Sequence, residues 1–109
     1  MPRRMRRRYI AVRIDSDRTF EERGIYDAVW TSILRLFGEY GASQTELTLV
    51  DYDQETKQAT LRCSHKASGL VRASIVAVTE IDSEKATIHI VLVSGTLRSL
   101  RGKMPRSTA

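Results

Sequence analysis

No disulfide can close within this chain, because Cys63 is its only cysteine. A lone thiol fits a reducing compartment, and a cytoplasmic location is the expectation. Long apolar runs are missing too: nothing approaches the roughly 18 consecutive apolar residues that a membrane-crossing helix needs, so no membrane partner is expected. The opening MPRRMRRR has no apolar stretch behind it and does not read as a secretory signal. Histidine occurs only twice, as His65 and His89. A zinc site needs three or four converging ligands, so no bound metal or other cofactor is expected. No nucleophile–base–acid set stands out, and Asp15/Asp17 and Asp51/Asp53 read as strand ends and turns. The expectation is a chain that is not an enzyme by itself.

Acids are absent from both ends. Residues 1–8 hold Arg3, Arg4, Arg6, Arg7 and Arg8, and residues 98–109 hold Arg98, Arg101, Lys103 and Arg106. All 13 acids lie between them, so the net charge of +5 comes from the ends. Basic ends on a mildly acidic body point to a polyanion, RNA or DNA before an anionic membrane, with plain solvated tails as the alternative. With 109 residues the chain fits one domain. It divides into a basic arm (1–8), a body (9–97) and a basic tail (98–109).

RYIAVRID (8–15) alternates Ile10, Val12 and Ile14 against Tyr9, Ala11 and Arg13, the period of a strand. Thr19 to Glu22 has the T-x-x-E form of a capping box, and Tyr26, Val29, Trp30, Ile33 and Phe37 then recur at helical spacing. Gly38 or Gly41 suits the helix end, while Gly24 weakens its first turn. TELTLVDY (45–52) and QATLRCS (58–64) read as a hairpin. Ser64 is placed to cap a second helix from about His65 to Thr79, and ATIHIVLVS (86–94) is a fourth strand with Ile88, Ile90 and Leu92 on one face. Residues 96–101 suit a short helical turn.

The order β-α-β-β-α-β predicts an α+β ferredoxin-like or RRM-like sandwich: a four-stranded antiparallel sheet of order 4-1-3-2 with two helices on one face. In that arrangement the Arg3–Arg8 arm and the Arg98–Lys103 tail leave the same end of the sheet. The LRCSHK stretch (61–66) is expected at the opposite end, roughly 20–25 Å away.

Within LRCSHK, alternation turns Cys63 toward the helices as a packing residue. His65 and Lys66 fall in the expected first turn of the second helix, where the helix dipole disfavours cations. A capping serine, exposed amides and two bases there suit a phosphate, reinforced by Arg62 and Arg72; the plain alternative is a tolerated surface pair. RRM domains stack bases on aromatics of the open sheet face, but QATLRCS has no aromatic and no glycine, so that mode is not expected. The open face is instead expected to show Tyr9, Ala11, Val50, Tyr52, His89, Val91 and Val93. Such an apolar face suits a protein partner, or cover by the chain's own C-terminal turn.

LFGEYGASQT (36–45), LRCSHK (61–66), VRASIVAVTEI (71–81) and VLVSGTLRSL (91–100) resemble ribonuclease P protein component 2, the small archaeal family related to a eukaryotic ribonuclease P and MRP subunit. The resemblance runs from about Tyr9 to Leu100. It implies an RRM-like sandwich working in a ribonucleoprotein that removes the 5′ leader of precursor tRNA. It further implies that the RNA carries the active site and its Mg²⁺. The implied partners are the ribonuclease P RNA, protein component 3, precursor tRNA through the complex, and a second copy in a 2:2 assembly. Beside this stand a free-standing RNA-binding module, a small-ligand regulatory domain and, last, a metal-independent nuclease.

Overall fold

The computed structural model describes residues 6–103, without the side chain of Lys103. Arg3, Arg4 and Arg106 lie outside the described residues. The elements follow in the order β1 (Arg7–Asp15), α1 (Glu22–Ser43), β2 (Thr48–Asp53), β3 (Gln58–Ser64), α2 (Ser68–Val76), β4 (Glu80–Ile81), β5 (Glu84–Lys85), β6 (Thr87–Ser94) and α3 (Leu97–Lys103). Strands β2-β3-β1-β6 form an antiparallel sheet in that order, and β4-β5 is a separate small hairpin. This is the ferredoxin-like, RRM-like sandwich expected from the element order.

One face of the sheet carries the core. Ile10, Val12 and Ile14 of β1, Ala59, Leu61 and Cys63 of β3, and Ile88 of β6 are buried against Ile25, Val29 and Ile33 of α1 and Val71 and Ile75 of α2. Burial of such aliphatic side chains, each worth roughly 1.5–3 kcal/mol, is what selects the period-two register of β1 and β3. Ser32 Oγ of α1 donates to the Ser74 carbonyl of α2 at 2.7 Å, so the two helices touch through small polar residues as well.

The other face is also covered. Leu100 of α3 is fully buried, as is Ala11 of β1, and neither belongs to the main core. Arg101 of α3 donates to Asp51 of β2 at 3.1 Å. The tail expected from residue 98 thus begins as a helix packed on the sheet.

Several helix boundaries differ from the sequence pattern. The N-cap of α1 is Glu21, with no side-chain cap, so the Thr19 capping box does not form. The helix continues beyond Gly38, which kinks it with φ 73° and ψ −178°. That backbone region belongs almost entirely to glycine. Gly24 has a packing reason: a Cβ there would overlap the Asp82 carboxylate. The acid comes from the β4–β5 turn, where Asp82 (φ 51°) and Ser83 (φ 66°) have the left-handed pair of a two-residue hairpin. The sequence pattern conceals this hairpin, because Ile81 stands four residues after Ala77 and so also fits a helical spacing. Helix α2 is correspondingly shorter, and His65 and Lys66 lie in the turn before it.

Two bulges change which side chains share a face. The β2–β3 register shifts between Leu49 and Asp51, and the β1–β6 register shifts opposite Ala11/Val12, between Leu92 and Ile90. One extra residue reverses every side chain beyond it. Leu92 therefore pairs with Ala11 on the α3 side, while Tyr52, Ile90 and Val93 pack against the core.

Candidate nucleic-acid interface

Antiparallel pairing of β3 with β1 sets Ser64 opposite Arg7 and Cys63 opposite Arg8. The His65 amide donates to the Arg6 carbonyl at 2.8 Å. LRCSHK is therefore beside the arginine arm, and the expected separation of the two is overturned. The reason is simple: an antiparallel neighbour ends where its partner starts. Strand β6 ends at the same place, with Ser94 opposite Tyr9. Arg6, Arg7, Arg8, Arg62, His65 and Lys66 come together on one end of the sheet, and Arg72 joins them from the second turn of α2.

The LRCSHK turn is tied down from beneath. Ser64 Oγ donates to the Gln44 carbonyl at 2.7 Å and accepts from the Ala67 amide at 3.3 Å. The Ser64 amide donates to the Thr45 carbonyl at 2.8 Å. The serine thus holds the turn against the end of α1 instead of capping α2, whose N-cap is Ala67. Lys66 is exposed and His65 half-buried on a fixed loop.

Cys63 is 1% exposed and unpaired. Burial pushes its thiol up to about 11, while Arg72 and Arg8 pull the other way. A buried, protonated thiol is a packing residue, not a nucleophile.

The basic end is distinctive in what its charges do not do. Arg62 Nη2 reaches Thr48 Oγ1 at 3.5 Å. Otherwise, among the described residues, Arg6, Arg7, Arg8, Arg62, Lys66 and Arg72 have no carboxylate within ion-pair distance. Arg98 of α3 is exposed, whereas Arg101 is committed to Asp51. Lys103 closes α3.

The expected apolar partner face does not assemble. Tyr9, Ala11 and His89 are on the α3 side, but Ala11 is buried and His89 sits 3.5 Å from Asp15 at the far end of the sheet. Tyr52 and Val93 face the core, and burial raises the Tyr52 hydroxyl above the usual phenol range. Val50 and Val91 mark bulges on the two opposite edge strands. The two bulges scatter what strict alternation would have gathered. Among the described residues, Val91 of β6 keeps an exposed apolar side chain, and the other large exposed ones are on the helices, as Leu36, Phe37, Tyr40 and Val76.

Fold and charge together define a small RRM-like sandwich with its sheet face capped by a helix and a cluster of cations without carboxylate partners among the described residues at one end. A profile of the Rpp14/Pop5 family matches residues 8–104. Ribonuclease P protein component 2 of Pyrococcus furiosus is 33% identical over 100 residues, covering 92% of this chain and 83% of that protein. The protein of the same name in Methanosarcina mazei is 30% identical over 95 residues, covering 87% and 80%. A chain in the cryo-EM structure of yeast ribonuclease MRP superposes with a TM-score of 0.74 at 16% identity, over 100% of this chain and 85% of that one, a likeness of fold. The chain belongs to the Rpp14/Pop5 family, as a non-catalytic protein subunit of the ribonucleoprotein enzyme ribonuclease P.

Proposed function

We propose that the chain serves ribonuclease P by lending counter-charge to its RNA through the basic end of the sheet. The observation that carries this reading is the gathering of Arg6, Arg7, Arg8, Arg62, Lys66 and Arg72 at one end, without an acid to pair them among the described residues. Like charges held together in a folded protein repel each other, and a polyanion relieves that cost. Arginine and lysine displace counterions from phosphates, so a folded RNA can keep closely packed strands at lower Mg²⁺. On this reading the RNA holds the Mg²⁺ and does the bond-breaking that removes the 5′ leader of precursor tRNA.

Protein partners, among them ribonuclease P protein component 3 and a second copy of this chain, must then meet a surface other than the α3-covered sheet face. The exposed helix residues Leu36, Phe37 and Tyr40 favour the helical side. The reading is tested by reconstitution. The chain, component 3 and the ribonuclease P RNA are mixed with precursor tRNA, and each part is omitted in turn. Loss of the chain should raise the Mg²⁺ needed for cleavage, and binding should weaken steeply with salt. An unchanged Mg²⁺ requirement would defeat the proposal. Tight RNA binding by the chain alone, with no complex with component 3, would favour a free-standing RNA-binding module.

A further inference from the structure

Gly95 follows the last residue of β6, and its φ is not in the left-handed region. Conformational freedom therefore does not explain the glycine. Space does: a Cβ built on Gly95 would stand 2.8 Å from Nη1 of Arg8. The missing side chain leaves room for a guanidinium to lie across the exit of β6.

Arg8 reaches that place from the helix side of the sheet. It pairs with Cys63 and precedes the core residue Ile10 by two, so it shares the core's face. Unlike its exposed neighbours Arg6 and Arg7, Arg8 is half-buried. Arg72, exposed on α2, and Arg8 both pull the Cys63 thiol down against the effect of its burial. Neither has an ion-pair partner among the described residues. A half-buried guanidinium without a carboxylate leaves its donors free for an acceptor with several oxygens. A phosphodiester fits that geometry, because the planar fork donates two parallel bonds to a pair of oxygens.

We propose that Arg8, laid across Gly95, grips one backbone phosphate of the RNA as a fixed contact within the otherwise diffuse basic end. The proposal rests on the RNA-binding reading above.

The test compares wild type, Arg8→Ala, Gly95→Ala and the double variant. Affinity for the ribonuclease P RNA is measured across a salt series, with a thermal midpoint for each protein. The atom that a Cβ at residue 95 would strike is the far end of a flexible side chain, so Gly95→Ala should fold normally and only displace Arg8. Arg8→Ala should bind about tenfold more weakly, as expected for a lost charge-assisted contact. Its salt slope should be shallower by about 0.7–0.9, the value for one phosphate. Gly95→Ala should weaken binding several-fold at an unchanged midpoint, and the double variant should match Arg8→Ala. Wild-type affinity for Gly95→Ala, or effects that multiply in the double variant, would overturn the fork. Should Gly95→Ala lower the midpoint, Arg8→Lys decides: it keeps the charge and loses the fork. Weaker binding at an unchanged slope supports the proposal, and unchanged affinity sinks it. A wild-type protein with no steep salt dependence would remove the whole basic-end reading. Steep wild-type salt dependence with an indifferent Gly95→Ala removes only the fork.

Discussion

At the end of the sheet where β1 stops, charged side chains are spent on one another; at the end where it starts, they are not. Asp15 faces His89 at 3.5 Å, Arg18 faces Glu84 at 3.9 Å, and Arg23 faces Asp27 at 3.8 Å. The Lys57 ammonium donates to the Ser16 carbonyl. These are exposed contacts, each worth about 0–1 kcal/mol, and they bind the acidic end to itself. The opposite end holds Arg6, Arg7, Arg8, Arg62, Lys66 and Arg72 with none of this pairing among the described residues. Charge that stabilises the fold is paired locally. Charge left unpaired in a cluster costs the fold something and is available to a partner.

The largest expected effect sharpens this contrast directly. Reversing Arg62, Lys66 and Arg72 to glutamate together should weaken binding to the ribonuclease P RNA by about 100-fold or more. The log–log salt slope should fall by about 2–3, since each lost phosphate contact removes roughly 0.7–0.9. Reversing Asp17, Glu55 and Glu84 to lysine at the other end should leave affinity within about threefold, beyond the uniform gain expected from added positive charge at low salt. Equal responses at the two ends would break the comparison.

Next in size is Leu100→Ala. Leucine-to-alanine changes at buried sites cost about 2–5 kcal/mol, and denaturant unfolding should report a loss toward the lower bound because α3 is short. RNA affinity should change little, which separates the capped sheet face from the basic end. A stability change near zero would mean that α3 does not hold the face.

A smaller effect is expected at the acidic end. Gly24→Ala drives a methyl into the Asp82 carboxylate, and overpacking of this kind costs about 1–3 kcal/mol. The second change Asp82→Gly, which removes the carboxylate and keeps the left-handed backbone, should recover most of that loss in a double-mutant thermal melt. Failure to recover would mean that the hairpin contact is not what requires glycine.

The smallest effect concerns pH. The Cys63 thiol has a folded pKa near 11 against an ordinary value of 9.0. A raised pKa favours the protonated folded form, so its contribution is intact below pH 9 and declines as pH rises toward 11. Chemical unfolding between pH 8 and 11 should show a steeper decline in wild type than in Cys63→Ala, which keeps only the part due to other groups such as Tyr52. Thiol alkylation of the folded chain at pH 8 should be slow.

The sandwich was legible because its signals are local. Ile10, Val12 and Ile14 alternate with nothing to interrupt them, and Val29 and Ile33 repeat at helical spacing. The basic residues were legible as a list. Their common location was not, because it depends on which way β3 runs beside β1. The apolar partner face failed at Val50 and Val91, where bulges reverse the alternation without any marker in the sequence. The hairpin holding Asp82 was hidden because Ile81 satisfied a helical pattern equally well. In the sequence Gly24 reads only as a weak point of the first helical turn and Gly95 carries no signal, yet each makes space for a side chain distant in sequence.

By itself, then, the amino-acid sequence determined the order of the four sheet strands and of the two helices between them, the core-facing residues of β1 and β3, and the presence of surplus cations. These follow from periodicity and composition, which are properties of neighbours along a chain. Only the tertiary structure decided that Arg8, Lys66 and Arg72 share one end, that Leu100 seals the second face, and that Arg101 is tied to Asp51. Those depend on strand pairing and bulge position, where the free energy is set by residues far apart in sequence meeting in space.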